Sequence, residues 1–264
     1  MHSEAMTRPT RCDDHPLPDM TAPQPPLAPD YQLNCVWGDR LEDAQSCVAS
    51  LQRFLVAIEP ACPPGTAWHT LGRKDALTPL PQDPDEVRLH VLKPGNGGKP
   101  GVPPQATFPA VGFHVLLVTA SGQDACDLQL NGGMQGPHAH NELSLRFPRQ
   151  GAAAQAWLSV ERMHALFRLA IACWQPDFAY VYHTDIRDEE VGYPLPIYWL
   201  AYRRDWPSDL LPEPDRLPAH AMAHPIPGLG HYIDTVPGQL YNRFNDEHRA
   251  ASEKVKSWLK TAGY

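Results

Sequence analysis

His138-Ala139-His140 is a place where residue types and spacing could do chemistry. On a strand, an H-x-H spacing sends both imidazoles to one face, which suits zinc or another transition metal. A hydrolytic centre needs a third anchored ligand and a base. The chain offers His164, His183 or Asp185 for this, with no spacing that selects among them. The pair also follows Gly136-Pro137, a turn context in which solvated histidines are common. The bland reading is favoured, and a metal-dependent hydrolase using His138 and His140 stands as the alternative function.

Asp185, Asp188, Glu189 and Glu190 form the densest acidic cluster, directly after a strand candidate. Grouped carboxylates can bind Mg²⁺ or Ca²⁺ or do acid–base work. The spacing of an EF-hand is missing, so a solvated loop or an acidic patch offered to a basic partner is the better reading. Tyr193 and Trp206 flank the cluster, and exposed rings rimmed by charge are what protein interfaces use as anchors. The expected binding residues are therefore Asp185, Asp188, Glu189, Glu190, Tyr193 and Trp206.

Motifs for covalent or cofactor chemistry are missing. The sequence has no G-x-S-x-G, and Gly97-Gly98-Lys99 runs into Pro100 rather than Ser or Thr and a helix. Gly228-Leu229-Gly230 lacks the third glycine of a dinucleotide fingerprint. No cofactor is expected, and no catalytic residue.

Composition sets the outer bounds. The chain has 264 residues and a net charge of −8, from 30 acidic and 22 basic residues. An acidic surface repels phosphate backbones, so direct nucleic-acid binding is disfavoured. No run approaches the roughly 18 apolar residues that cross a bilayer, and residues 1–29 contain no apolar signal segment. Six cysteines are scattered without a C-x-x-C pair, as expected of free thiols in a reducing compartment. The expected location is cytoplasmic.

The elements that must position these residues follow from periodicity. Residues 1–29, rich in proline, read as a disordered arm, and residues 16–29 could serve an adaptor as a polyproline ligand. Tyr31–Trp37 reads as a strand. A helix follows, capped by Asp39, with Leu41, Ala44, Val48, Leu51, Leu55 and Ile58 on one face. A short strand is expected at Val87–Leu92 within a proline-rich stretch, and further strands at Val111–Thr119, Asp127–Leu130 and Glu142–Phe147. A second helix spans about 153–174. Strands at Phe178–His183, Ile197–Arg203, His220–Ile226 and His231–Val236 come next, and a helix over about 246–261 closes the chain. Strands clustered after helices argue for an α+β fold with mixed, largely antiparallel sheets and about three main helices. The expected division is an arm at 1–29, a first α+β lobe at 30–140 and a second at 141–264 with the C-terminal helix, the two lobes having similar layouts.

Several short runs carry a resemblance. Tyr31–Trp37-Gly38 leads into a helix ending Ala57-Ile58-Glu59-Pro60, followed by Trp68 and Leu71-Gly72-Arg73-Lys74. Gly112-Phe113-His114-Val115, Asn141–Pro148, Cys173-Trp174-Gln175-Pro176-Asp177-Phe178-Ala179, Tyr198–Tyr202, Pro227–His231 and Phe244 continue in order. Over about 31–262 the chain resembles the immunity protein 52 family. It departs at Gly192–Trp199, where the family has a plainer strand, and in its extra N-terminal arm. The resemblance implies an immunity protein that binds and neutralises a cognate toxin, without catalytic residues of its own. It also implies that the toxin is a nuclease effector delivered by a type VI secretion system. A nuclease presents a basic groove to DNA, to which an acidic protein is steered.

Overall fold

In the computed structural model, the structure describes residues 30–91, 103–183, 199–206, 217–218 and 220–262. Ten strands form one sheet: β1 (Tyr31–Trp37), β2 (His69–Leu71), β3 (Leu77–Pro79), β4 (Phe113–Val118), β5 (Asp127–Gly132), β6 (Asn141–Arg146), β7 (Phe178–His183), β8 (Leu200–Arg203), β9 (Met222–Ile226) and β10 (Gly230–Asp234). Their order is β3-β2-β4-β5-β6-β1-β7-β8-β10-β9, and every neighbouring pair is antiparallel. The helices are α1 (Ala44–Ile58), α2 (Pro84–Val91), α3 (Gly151–Trp157), α4 (Val160–Trp174) and α5 (Asp246–Thr261). The fold is α+β, and among the described residues α1, α4 and α5 are the three long helices.

The sheet runs through both expected lobes. β1, at the start of the first, lies between β6 and β7 of the second. The boundary expected at residue 140 falls between β5 and β6, which pair from Asp127↔Arg146 to Asn131↔Glu142. Asp30 fastens the beginning of β1: its carboxylate, 3 % exposed, accepts from Arg146 at 2.9 and 3.3 Å and also pairs with Arg149. Where β4 begins, Gly112 has φ +60°, and a Cβ there would sit 2.4 Å from the Gly132 carbonyl, so only glycine fits.

Caps decide several helix boundaries differently from the sequence expectation. α1 begins at Ala44 because Asp43, not Asp39, accepts the Ser46 N–H at 2.7 Å. Leu41 therefore lies outside the helix and is exposed, while Cys47 and Phe54 join Ala44, Val48, Leu51 and Ile58 on the buried stripe. Over residues 87–91 the strand expected at Val87–Leu92 is instead part of the helix α2, and Leu92 lies outside the described residues. Asp83 accepts from the N–H groups of Asp85 and Glu86 at 2.9 and 3.0 Å, Pro84 opens the first turn, and Val87 is buried. The single helix expected at 153–174 is two, α3 and α4, divided where Ser159 caps α4 through the Arg162 N–H. Gln175 ends α4 in the left-handed region at φ 45°, directly before Pro176. The edge hairpin β2–β3 carries no sequence signal strong enough to have been expected.

The main core lies between one face of the sheet and the pair α1 and α4. Leu33, Cys35, Leu143, Leu145, Ala179 and Val181 are fully buried there with Leu51, Phe54, Phe167 and Ile171 of the helices. Each buried leucine, isoleucine, valine or phenylalanine among them contributes about 1.5–3 kcal/mol. A smaller core sits on the opposite face at the far end of the sheet, where Val255 and Leu259 of α5 meet Ala201, Trp206, Leu217 and Ile233.

Candidate functional site

Strand alternation gives the middle of the sheet two unlike faces. With Leu33, Cys35 and Trp37 turned into the core, β1 places Gln32, Asn34 and Val36 on the other side. By the same alternation β6 places Glu142, Ser144 and Arg146 there, and β7 places Phe178, Tyr180 and Tyr182. Pairing sets Gln32 opposite Tyr182, and Asn34 between Ser144 and Tyr180.

These polar groups are tied together. Gln32 donates to Ser144 Oγ at 2.5 Å and to Asn34 Oδ1 at 3.0 Å. Asn34 Nδ2 donates to the Tyr180 hydroxyl at 3.1 Å, and the Tyr182 hydroxyl donates to Gln32 Oε1 at 3.1 Å. The three rings form a ladder, with centroids 6.2 Å apart for Phe178–Tyr180 and 5.5 Å for Tyr180–Tyr182. All three are partly exposed, and Phe178 and Tyr180 belong to neither apolar core. Burial pushes the Tyr180 hydroxyl up to about 12, so it stays protonated at neutral pH. Beside the ladder, burial also raises the Glu142 carboxyl, an effect opposed by His140, whose Nε2 lies 3.5 Å from Glu142 Oε2. The network fixes hydrogen-bond donors, acceptors and rings on one face of the sheet.

A second cluster lies on the helix side, near the sheet's end. His164 of α4 reaches Tyr232 Oη at 2.7 Å through Nδ1 and Asp234 Oδ2 at 3.1 Å through Nε2. His224 of β9 lies opposite Tyr232 in the β9–β10 ladder and stacks on it at 4.8 Å, with its Nε2 4.0 Å from Asp234 Oδ2. Burial lowers the His224 pKa, and His164 lowers it further.

The residues expected from the sequence fare differently. Asp185, Asp188, Glu189, Glu190 and Tyr193 lie outside the described residues, in the chain between β7 and β8. Trp206 is 7 % exposed and belongs to the smaller core, so in this structure it is a packing residue rather than a surface anchor. His138 and His140 are exposed in a turn rather than on a strand. His183 is buried away from them, its Nε2 accepting the Asp30 N–H at 3.4 Å. Among the described residues, the three that do converge are His164, His224 and Asp234.

The model of the family described as Immunity protein 52 matches residues 30–264. The chain belongs to the immunity protein 52 family. That membership gives it a role in toxin immunity. No curated protein matches the sequence. Among solved structures it is similar to the Pseudomonas aeruginosa T6SS protein PA0821, at 11 % identity over 86 % of this chain and 74 % of that one, with a TM-score of 0.48.

For this immunity protein 52 chain, sequence reasoning placed the expected binding residues only in the loops. The alternation of Gln32 and Asn34 with Leu33 and Cys35, and of Phe178, Tyr180 and Tyr182 with Ala179 and Val181, was a readable sign of a second, polar and aromatic face. For the histidine cluster the only sign was the alternation of Tyr232 and Asp234 along β10. Nothing in the spacing joins His164 to a hairpin some sixty residues later. Among the described residues, no helix is long and apolar enough to cross a membrane.

Proposed function

We propose that this immunity protein neutralises its toxin by stoichiometric binding, and that the polar and aromatic face of β6, β1 and β7 seats the toxin. The observation that carries the reading is the hydrogen-bonded network of Gln32, Asn34, Ser144, Tyr180 and Tyr182. It lies in the middle of the sheet face turned away from the main core, with Gln32, Tyr180 and Tyr182 partly exposed over the buried Asn34 and Ser144. Rigid tyrosines with pre-satisfied polar neighbours give contact area at low entropic cost, as interface hot spots do. The connection from β7 to β8 leaves the end of the tyrosine ladder and carries Asp185, Asp188, Glu189, Glu190 and Tyr193. Within the proposal it supplies the acidic rim of the same surface.

The partner we propose is a nuclease effector delivered by a type VI secretion system, acting in the cytoplasm. A DNA-cleaving surface is basic, and the chain's charge of −8 steers the two together. The test is titration calorimetry with the cognate toxin domain. Gln129 of β5 is exposed and pairs opposite Ser144, so Gln129→Arg combined with Tyr182→Arg places two positive charges on the face. Binding is expected to weaken at least 100-fold with the melting temperature kept within a few degrees. Retained wild-type affinity in that variant overturns the face. Retained affinity after Asp188, Glu189 and Glu190 all become Ala overturns the acidic rim.

A further inference from the structure

We infer that His164, His224 and Asp234 form a binding site for one divalent transition-metal ion of the zinc class. Two imidazoles and a carboxylate make a donor set suited to such ions, with a fourth position left for water. Each residue turns one ligand atom inward, and the three atoms lie within 4.8 Å of one another. In a tetrahedral zinc site the ligand atoms stand about 3.3 Å apart. His164 Nε2 and Asp234 Oδ2 are already at 3.1 Å, and His224 Nε2 lies 4.0 Å from the same oxygen.

The outer contacts hold the donors for this task. Asp234 is 1 % exposed, and its Oδ1 is occupied by the Val236 N–H at 2.9 Å, which leaves Oδ2 to the site. His224 Nε2 is a buried polar atom without a hydrogen-bond partner, and the buried Asp234 Oδ2 has only its close contacts with the two imidazoles and accepts no well-formed hydrogen bond. An unpartnered polar atom of this kind carries a desolvation cost that a bound cation removes. When His164 binds the ion through Nε2, its Nδ1 proton is donated to Tyr232 Oη, the outer-shell hydrogen bond that fixes a metal-bound imidazole. Tyr232 also stacks on the His224 ring and sets its plane. One influence runs the other way: Arg168, four residues along α4, places positive charge near His224 and Tyr232, and the Asp234 carboxylate offsets it. His224 is partly exposed, which leaves a path for the ion from solvent.

Such an ion clips β9, the edge strand of the sheet, to α4. The site is on the helix side and the proposed toxin face is on the other, so the experiment needs no toxin. Full-length protein stripped with a chelator is titrated with zinc chloride against a chromophoric competitor, and its melting is followed with and without one equivalent of zinc. One ion per chain is expected, with a higher melting temperature. His224→Ala is expected to weaken binding at least 10-fold while the metal-free protein melts as before. Asp234→Asn, which keeps the oxygen that accepts from Val236, should weaken it similarly, and the double change His138→Ala with His140→Ala should leave it unaltered. Absence of saturable one-to-one binding, or binding lost with His138 and His140 but kept without His224, overturns the site.

Discussion

Trp37 and Trp174 stack with ring centroids 5.3 Å apart and planes inclined by 19°, joining the central strand to the end of α4. Phe54 of α1 meets the edge of Trp174 at 6.0 Å, and the Arg40 guanidinium lies over Trp37 at 5.3 Å. Arg40 also donates to the carbonyls of Trp174 and Gln175 at 2.8 and 3.1 Å, satisfying the last turn of α4. Both helices thus meet the sheet at one aromatic contact.

Trp37→Ala is expected to cost about 3–5 kcal/mol, the range for removing a buried large ring. Urea denaturation followed by fluorescence measures this. A loss below about 1 kcal/mol would show that the stack does not hold α4 to the sheet.

Asp30→Asn should destabilise the fold by about 2 kcal/mol, because it removes charge-assisted hydrogen bonds to Arg146 and Arg149 at a buried position. Arg146→Gln and Arg149→Gln singly are expected to cost less, since each arginine is about 40 % exposed and the other still serves the carboxylate. A double-mutant cycle on thermal melting gives the coupling.

His248 sets an acid limit. It is buried, accepts the Asn242 N–H on Nδ1 at 2.9 Å and faces Gln239 Oε1 with Nε2 at 3.0 Å, which requires the neutral ring. Burial lowers its pKa from the usual 6.5. The unfolded chain therefore takes up the proton first, so the stability this group contributes is whole above about pH 6.5 and is lost as pH falls through the folded value. The melting-temperature advantage of the wild type over His248→Gln should shrink between pH 7.5 and 5. An advantage that grows on acidification would contradict the assignment.

Cys35, Cys47 and Cys126 are buried, and burial raises all three thiols above their ordinary value. Thiolates are the reactive form, so none of the three should be alkylated in the native protein at pH 8. Cys173, with part of its surface exposed, should react faster. Peptide mapping after iodoacetamide treatment, native and unfolded, reads the difference.

Element types were largely legible from the chain. Tyr31–Trp37, Phe178–His183 and the closing helix came from periodicity with their observed extents, because their apolar residues repeat at the period of the element they form. Boundaries were less legible where two caps competed. Asp39 and Asp43 both precede α1, and which one accepts the first-turn amides depends on the path of the chain. Val87 misled because a lone buried valine in a short apolar run serves a strand or a helix equally well, and the Asp83 cap with Pro84 decided for the helix.

By itself the sequence determined an acidic α+β chain without nucleophile or cofactor motifs, and its ordered short runs already resembled the immunity protein 52 family. Those are local properties, carried by residue type and spacing of a few positions. Only the tertiary structure decided that β1 enters between β6 and β7. That placement puts Asn34 beside Tyr180, 146 residues away, and turns polar alternation into a connected face. The same holds for His164 and Asp234, which meet because α4 packs over β10. Pairing between distant strands is set by the summed burial of the whole core, and no short window of sequence contains that sum.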